Sequence, residues 1–143
     1  GPIQAMRWAL ADADASPSDV DYVNAHGTST PMNDASESAA MRAVFGDGIA
    51  RVPVSSTKST MGHLIAAAGA VEAVVCTLAI RDGVLPVNAN YANPDPDCAL
   101  NLVVGRERAQ SVRVAMSNSF GFGGSNSSLA FRHPDYDGGR RRA

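Results

Sequence analysis

Residues 55–69 read SSTKSTMGHLIAAAG: a strand-like run ends in hydroxyl side chains, Lys58 and His63 follow, and a long alanine-rich apolar stretch opens behind them. The stretch predicts a helix over Gly62 to Ile80, stopped by Arg81-Asp82-Gly83, with a cation in its last turn and glycine beyond. RVPVSST (51–57) reads as the strand that feeds it. Strand, reactive loop and helix in succession are the building unit of an α/β domain, and ligand sites collect at the carboxyl ends of such strands. At the first turn of that helix His63 would face unpaired N–H groups and the helix dipole, which oppose an imidazolium and favour the neutral ring. A neutral imidazole can donate a hydrogen bond to a developing oxyanion; the plainer alternative is a histidine that only caps the backbone. Lys58 alone could be an ordinary surface lysine.

Working outward, Ile3, Met6, Leu10 and Ala13 recur at helical spacing, and small and polar residues stop that helix before Pro17. VDYVNA (20–25) is a short strand, HGTSTPMND (26–34) a loop, and Asp34 with Glu37 has the spacing of a capping box for a helix running to Phe45. Gly46-Asp47-Gly48 turns the chain. After the proline-rich loop PVNANYANPDPDCAL, three strand-like runs follow, NLVV (101–104), SVRVAMSNS (111–119) and SSLAFR (127–132). The order αβαβαβββ predicts an α/β layered domain whose mostly parallel sheet ends in an antiparallel hairpin. It occupies residues 1–132, and residues 133–143, which include Arg140-Arg141-Arg142, are expected to form a disordered tail.

The chain of 143 residues is 45% hydrophobic and 18% charged, enough for one sizeable core. A net charge of −2 gives no electrostatic case for nucleic acid or a membrane surface. The apolar run from Leu64 to Ile80 carries Glu72 near its centre, which is costly in lipid, so it is expected to be a helix buried in protein. Cys76 and Cys98 form neither a disulfide framework nor a metal-ligand spacing, and a reducing, cytoplasmic setting fits them. No export signal is recognised at the amino terminus.

Two apparent nucleotide motifs fail. SSTKS has Thr57 where a phosphate-binding loop needs glycine, and GFGGSN (121–126) ends on Asn126 and precedes a strand rather than a helix. Its glycines still mark a tight, open turn. His26 follows VDYVNA as His63 follows RVPVSST, so both histidines belong to strand ends and a shared site is expected. A pair so far apart in sequence, without a carboxylate or thiolate at ligand spacing, makes a weak zinc signal, and no metal is expected. At about 100° per residue, Glu72 lies half a turn out of phase with His63 on one continuous helix, which suits a buried, paired carboxylate.

NAHGTSTPMND, SSTKSTMGHLIAAAGAVEA and SNSFGFGGSN, in this order, resemble the carboxyl-terminal half of β-ketoacyl-acyl carrier protein synthases, most closely the elongating FabF-type synthase II. The resemblance runs from residue 1 to about Phe131. It implies a thiolase-like fold: a layered α/β/α half with a mixed, mostly parallel five-stranded sheet and a buried central helix. It makes His26 and His63 the catalytic histidines that hold the thioester and enolate oxygen during decarboxylation of a malonyl unit, and Lys58 the charged partner that tunes the His63 site. Phe122 becomes the gatekeeper of the acyl pocket, Thr28 and Thr30 contacts to the phosphopantetheine arm, and Asn24, Glu72, Ser117 and Asn118 a supporting polar or cation site.

The family's nucleophile, a cysteine at a helix start in the amino-terminal half, has no counterpart at Cys76 or Cys98. The resemblance therefore implies an amino-terminal partner half carrying that cysteine, an acyl carrier protein that brings the substrate on phosphopantetheine, a dimer of the full enzyme and no separate cofactor. NAHGTST resembles fatty-acid-type synthases more than modular polyketide ones, though neither pathway is excluded. A chain-length-factor-like or scaffold subunit of the same fold is the alternative, and retention of His26, Lys58, His63 and Phe122 argues against it.

Overall fold

The computed structural model describes residues 1–138, apart from the side chain of Phe122. Its centre is a four-stranded sheet in the order β2-β1-β5-β6, formed by β1 (Tyr22–Asn24), β2 (Val54–Ser55), β5 (Val114–Phe120) and β6 (Asn126–Arg132). β1 runs parallel to β2 and β5, and β6 returns antiparallel along β5. The expected fifth strand is reduced to a bridge: Leu102 pairs parallel with Val54, because β2 is only two residues long and offers nothing more to pair with. A separate two-stranded ladder joins β3 (Val84–Leu85) to β4 (Arg108–Ala109), elements too short for any periodicity to reveal.

Helices cover both faces of the sheet. α1 (Pro2–Asp12) and α2 (Pro31–Phe45) pack on one side, where Met6, Leu10, Met41, Val23, Val54 and Met116 close the larger core. α4 (Ala68–Asp82) packs on the other, where its Cys76 and Ala79 meet Tyr22, Leu85 and Ala115. Alternation along β5 divides these layers: Val114 and Met116 face one, and the small Ala115 lets α4 approach the other.

Three expected helix features are corrected. α2 starts at Pro31 rather than behind Asp34, since proline's fixed φ suits a first helical turn, and no Asp34–Glu37 capping box forms. The helix expected over Gly62 to Ile80 is broken into the single turn α3 (Lys58–Met61), a 3-10 turn at Ile65–Ala67 and α4, because Gly62 (φ 75°) and Ile65 (φ 51°) adopt left-handed backbone. For the β-branched Ile65 that conformation is strained, and such strain tends to gather at functional sites. Nor is α4 buried all round: Glu72, Cys76 and Ala79 face the sheet, whereas Val74 and Leu78 are exposed. Its end is as expected, with Gly83 in the left-handed region.

Part of the expected tail is also ordered. The N–H of His133 donates to the Arg113 carbonyl at 2.7 Å, and Tyr136 packs against the larger core beneath Arg113 and Arg132. Residues 139–143, with the three arginines, lie outside the described residues. Among the described residues no helix is long and apolar enough to cross a membrane.

Candidate active site

Three parallel strands end at one edge of the sheet, and the chemistry follows them. His26 comes two residues after β1, Lys58 opens α3 just beyond β2, and Phe120 closes β5. The broken helix brings His63 back over this edge. Its imidazole meets that of His26 edge to face, with centroids 5.6 Å apart and planes at 83°, and Phe120 lies 6.2 Å from His26 on another side.

The two imidazoles are prepared differently. Nδ1 of His63 accepts the N–H of Ile65 at 3.0 Å, so the neutral ring carries its proton on Nε2. The strained Ile65 therefore sets the tautomer and leaves Nε2–H as the ring's free donor. His63 itself is exposed. His26 is buried, at 8% exposure, and its pKa is lowered to about 4, first by desolvation, then by the charges of Lys58 and His63, with Asp34 opposing. Near neutral pH it is an uncharged imidazole.

This depression has a definite sign in stability. Between about 6.5, the ordinary histidine value, and about 4, the unfolded chain binds a proton at His26 that the folded chain refuses. Stability should fall as pH drops through that window and level off below it. NMR titration of the folded protein should place the His26 midpoint near 4; a midpoint near 6.5 would contradict this environment.

Lys58 does not touch either ring through a hydrogen bond. Its ammonium is paired with Oε1 of Glu72, and both side chains are almost fully buried. The half-turn phase between His63 and Glu72 loses its meaning because the helix is interrupted, yet Glu72 still points inward, away from solvent. Glu72 Oε2 and Asn24 Oδ1 are buried without a hydrogen-bond partner. Ser117 lies beside Asn24 in the β1–β5 register and is also buried. Both orphaned oxygens are buried acceptors that no donor among the described residues satisfies. Asn118 does not join them: its amide donates to Glu37 at 3.2 Å and accepts from Ser128 at 2.8 Å.

Thr28 and Thr30 share a hydroxyl contact of 2.9 Å and line an open cleft of about 470 Å³ with Ser56, Ser59 and Asn88. The two imidazoles are not part of its wall. Phe122 begins the 3-10 turn Phe122–Gly124, where Gly123 and Gly124 have positive φ, but its side chain falls outside the described residues. Neither thiol is disposed to ionise: burial and the charge of Glu72 push Cys76 up to about 12, and Cys98 is raised as well. Among the described residues no cluster of three or more His, Cys, Asp or Glu side chains could hold a metal ion.

The role of one residue escaped the reading of the sequence. Glu37 is 2% exposed and its carboxylate turns to the N–H groups of His26 and Gly27. The available signal was its place on the stripe of α2 that also carries Met41 and Phe45, where a carboxylate is anomalous.

The layered sheet and the sequence that builds it belong to a known family. Residues 1–92 match the family described as "Beta-ketoacyl synthase, C-terminal domain", and the chain belongs to that family. Nodulation protein E of Rhizobium meliloti is 52% identical over 132 residues, which are 92% of this chain and 33% of that protein. The 3-oxoacyl-[acyl-carrier-protein] synthase 2 of Synechocystis is 48% identical over 92% of this chain and 32% of its own length. Among solved structures, a type II polyketide acyl-carrier protein in complex with its ketosynthase superposes with a TM-score of 0.90 at 38% identity, covering 93% of this chain and 33% of that one. A β-ketoacyl synthase from Burkholderia phymatum gives 0.85 at 42% identity, over 91% of this chain and 31% of the other. The chain thus spans about a third of the length of these curated relatives.

Proposed function

We propose that this chain supplies the decarboxylating side of a 3-oxoacyl-acyl carrier protein synthase, in fatty acid or polyketide synthesis, and that an amino-terminal half supplies the nucleophilic cysteine. The observation that carries the reading is the pair of adjacent imidazoles, one held uncharged by burial and the other fixed as an Nε2–H donor. Both can donate to one carbonyl oxygen of a malonyl thioester. As the bond to the carboxylate breaks and carbon dioxide leaves, the electron pair moves into the enolate, whose oxygen these donors stabilise. The α-carbon then attacks the acyl carbonyl held on the partner's cysteine, a carbon–carbon bond forms, and the thiolate is released.

In this reading Lys58 holds Glu72 and keeps a positive charge beside His26, which favours the neutral ring. Thr28 and Thr30 meet the phosphopantetheine arm of an acyl carrier protein, and Phe122 guards the acyl pocket. Asn24, Glu72 and Ser117 would hold a supporting cation, whose part is to satisfy the two orphaned oxygens; Asn118 serves elsewhere. The exposed apolar face of α4, with Val74 and Leu78, suits cover by the amino-terminal half. The complete enzyme is read as a cytoplasmic dimer that needs no separate cofactor. A chain-length-factor-like or scaffold subunit would have no use for two adjacent imidazoles, one held uncharged by burial and the other with Nδ1 committed to the backbone.

The test is assembly. The chain alone should not condense acyl and malonyl thioesters, and addition of an amino-terminal ketosynthase half should restore turnover. Condensation by the chain alone, with Cys76 or Cys98 found acylated, would overturn the proposal.

A further inference from the structure

The ring of His26 is only as well placed as the peptide that carries it, and that peptide is gripped from two sides. Oε1 of Glu37 accepts the N–H of His26 at 3.0 Å and Oε2 accepts the N–H of Gly27 at 2.9 Å. From the opposite side the Ser56 hydroxyl donates to the Gly27 carbonyl at 2.9 Å. Gly27 has φ of +39°, and a Cβ there would lie 2.6 Å from Cβ of Ser56, so the turn is packed closely against the residue that follows β2. Glu37 is held in turn by the Asn118 amide, and Asn118 by the Ser128 hydroxyl. Among the described residues no Lys or Arg is paired with this carboxylate. Burial raises its pKa, and the N–H groups of Gly27 and His26, with the Asn118 amide, oppose that shift by favouring the charged carboxylate.

We infer that Glu37 is a positioning residue for the proposed reaction, fixing His26 by binding both N–H groups of the His26–Gly27 turn, with Asn118 and Ser128 aiming its carboxylate. The inference rests on the decarboxylating role proposed above for His26. A glutamine at this position keeps the shape but presents an NH2 to one of two N–H groups, so the turn loses a bond and gains a repulsion. Displacing a reacting group by about 1 Å costs roughly 10²-fold in rate. Transfer of the acyl group to the partner's cysteine does not use the malonyl oxygen and should be spared.

The experiment compares Glu37→Gln, Asn118→Ala and His26→Ala in the chain assembled with its amino-terminal half, reading carbon dioxide release, acyl-enzyme formation and melting temperature. Carbon dioxide release by Glu37→Gln should fall by up to about 10²-fold with the malonyl KM nearly unchanged and acyl transfer retained. Asn118→Ala should show the same split at smaller size, and it decides the case if Glu37→Gln does not accumulate as folded protein. Equal losses in both steps with a lowered melting temperature would make Glu37 merely structural and overturn the inference, as would unchanged carbon dioxide release. If Glu37→Gln is silent while His26→Ala is inactive, the positioning role alone fails. If His26→Ala itself releases carbon dioxide normally, the decarboxylating role fails and takes the positioning role with it.

Discussion

Replacing His63 by alanine in the assembled enzyme is expected to lower carbon dioxide release from a malonyl thioester roughly 10²–10³-fold, the usual cost of losing one donor to a developing oxyanion. The expectation comes from the tautomer. Because Nδ1 is committed to the N–H of Ile65, the ring offers Nε2–H and cannot turn to use it elsewhere without giving up that bond. A donor so fixed contributes most where charge develops, in decarboxylation, and less to acyl transfer onto a cysteine of the other half. A histidine serving only the backbone would instead cost about 1 kcal/mol of stability, as a lost cap does, with little change in chemistry. Acyl-enzyme formation and carbon dioxide release, measured separately on the same variant, distinguish these outcomes.

Lys58→Ala is expected to be among the most destabilising single changes in the chain. Lys58 and Glu72 are 6% and 3% exposed at their side chains, and Oε2 of Glu72 already lacks a partner. Removing the ammonium strands a buried carboxylate, and breaking such a pair from one side typically costs about 3–5 kcal/mol. Removing both charges together should recover most of that loss, so Lys58→Met with Glu72→Gln should unfold in denaturant close to the parent. The charge of Lys58 also helps depress the pKa of His26, so in Lys58→Ala the His26 titration should move up from about 4. If Lys58→Ala costs less than about 1 kcal/mol, the pair behaves as an exposed surface bridge and its structural role here is refuted.

The parts of this site were unequally legible in the sequence. His26 and Lys58 could be placed because each follows a short β-rich run, and the parallel pairing of β1 with β2 then brings the strand ends together. The antiparallel return of β6 along β5 was equally visible in alternation and in the glycine-rich turn between them. The interruption before α4 was not. Leu64 and Ala66 to Ala68 are good helix formers, and the propensity of the run gives no hint that Ile65 takes a left-handed conformation. Gly62 carried the one local signal of a break. Glu37 was misread for a related reason, since its spacing from Asp34 fits a capping box, whereas its partners come from the loop after β1. Asn118 was grouped with Asn24 and Ser117 by resemblance, but strand alternation turns its side chain to the opposite face of the sheet, toward Glu37 and Met6.

The most direct measurement is a double-mutant cycle on carbon dioxide release, using His26→Ala, His63→Ala and the two combined in the assembled enzyme. If both imidazoles donate to one oxygen they act as a unit, and the combined variant should be scarcely slower than the slower single variant. Rate losses that multiply across the two positions would show two independent tasks and contradict a shared oxyanion site.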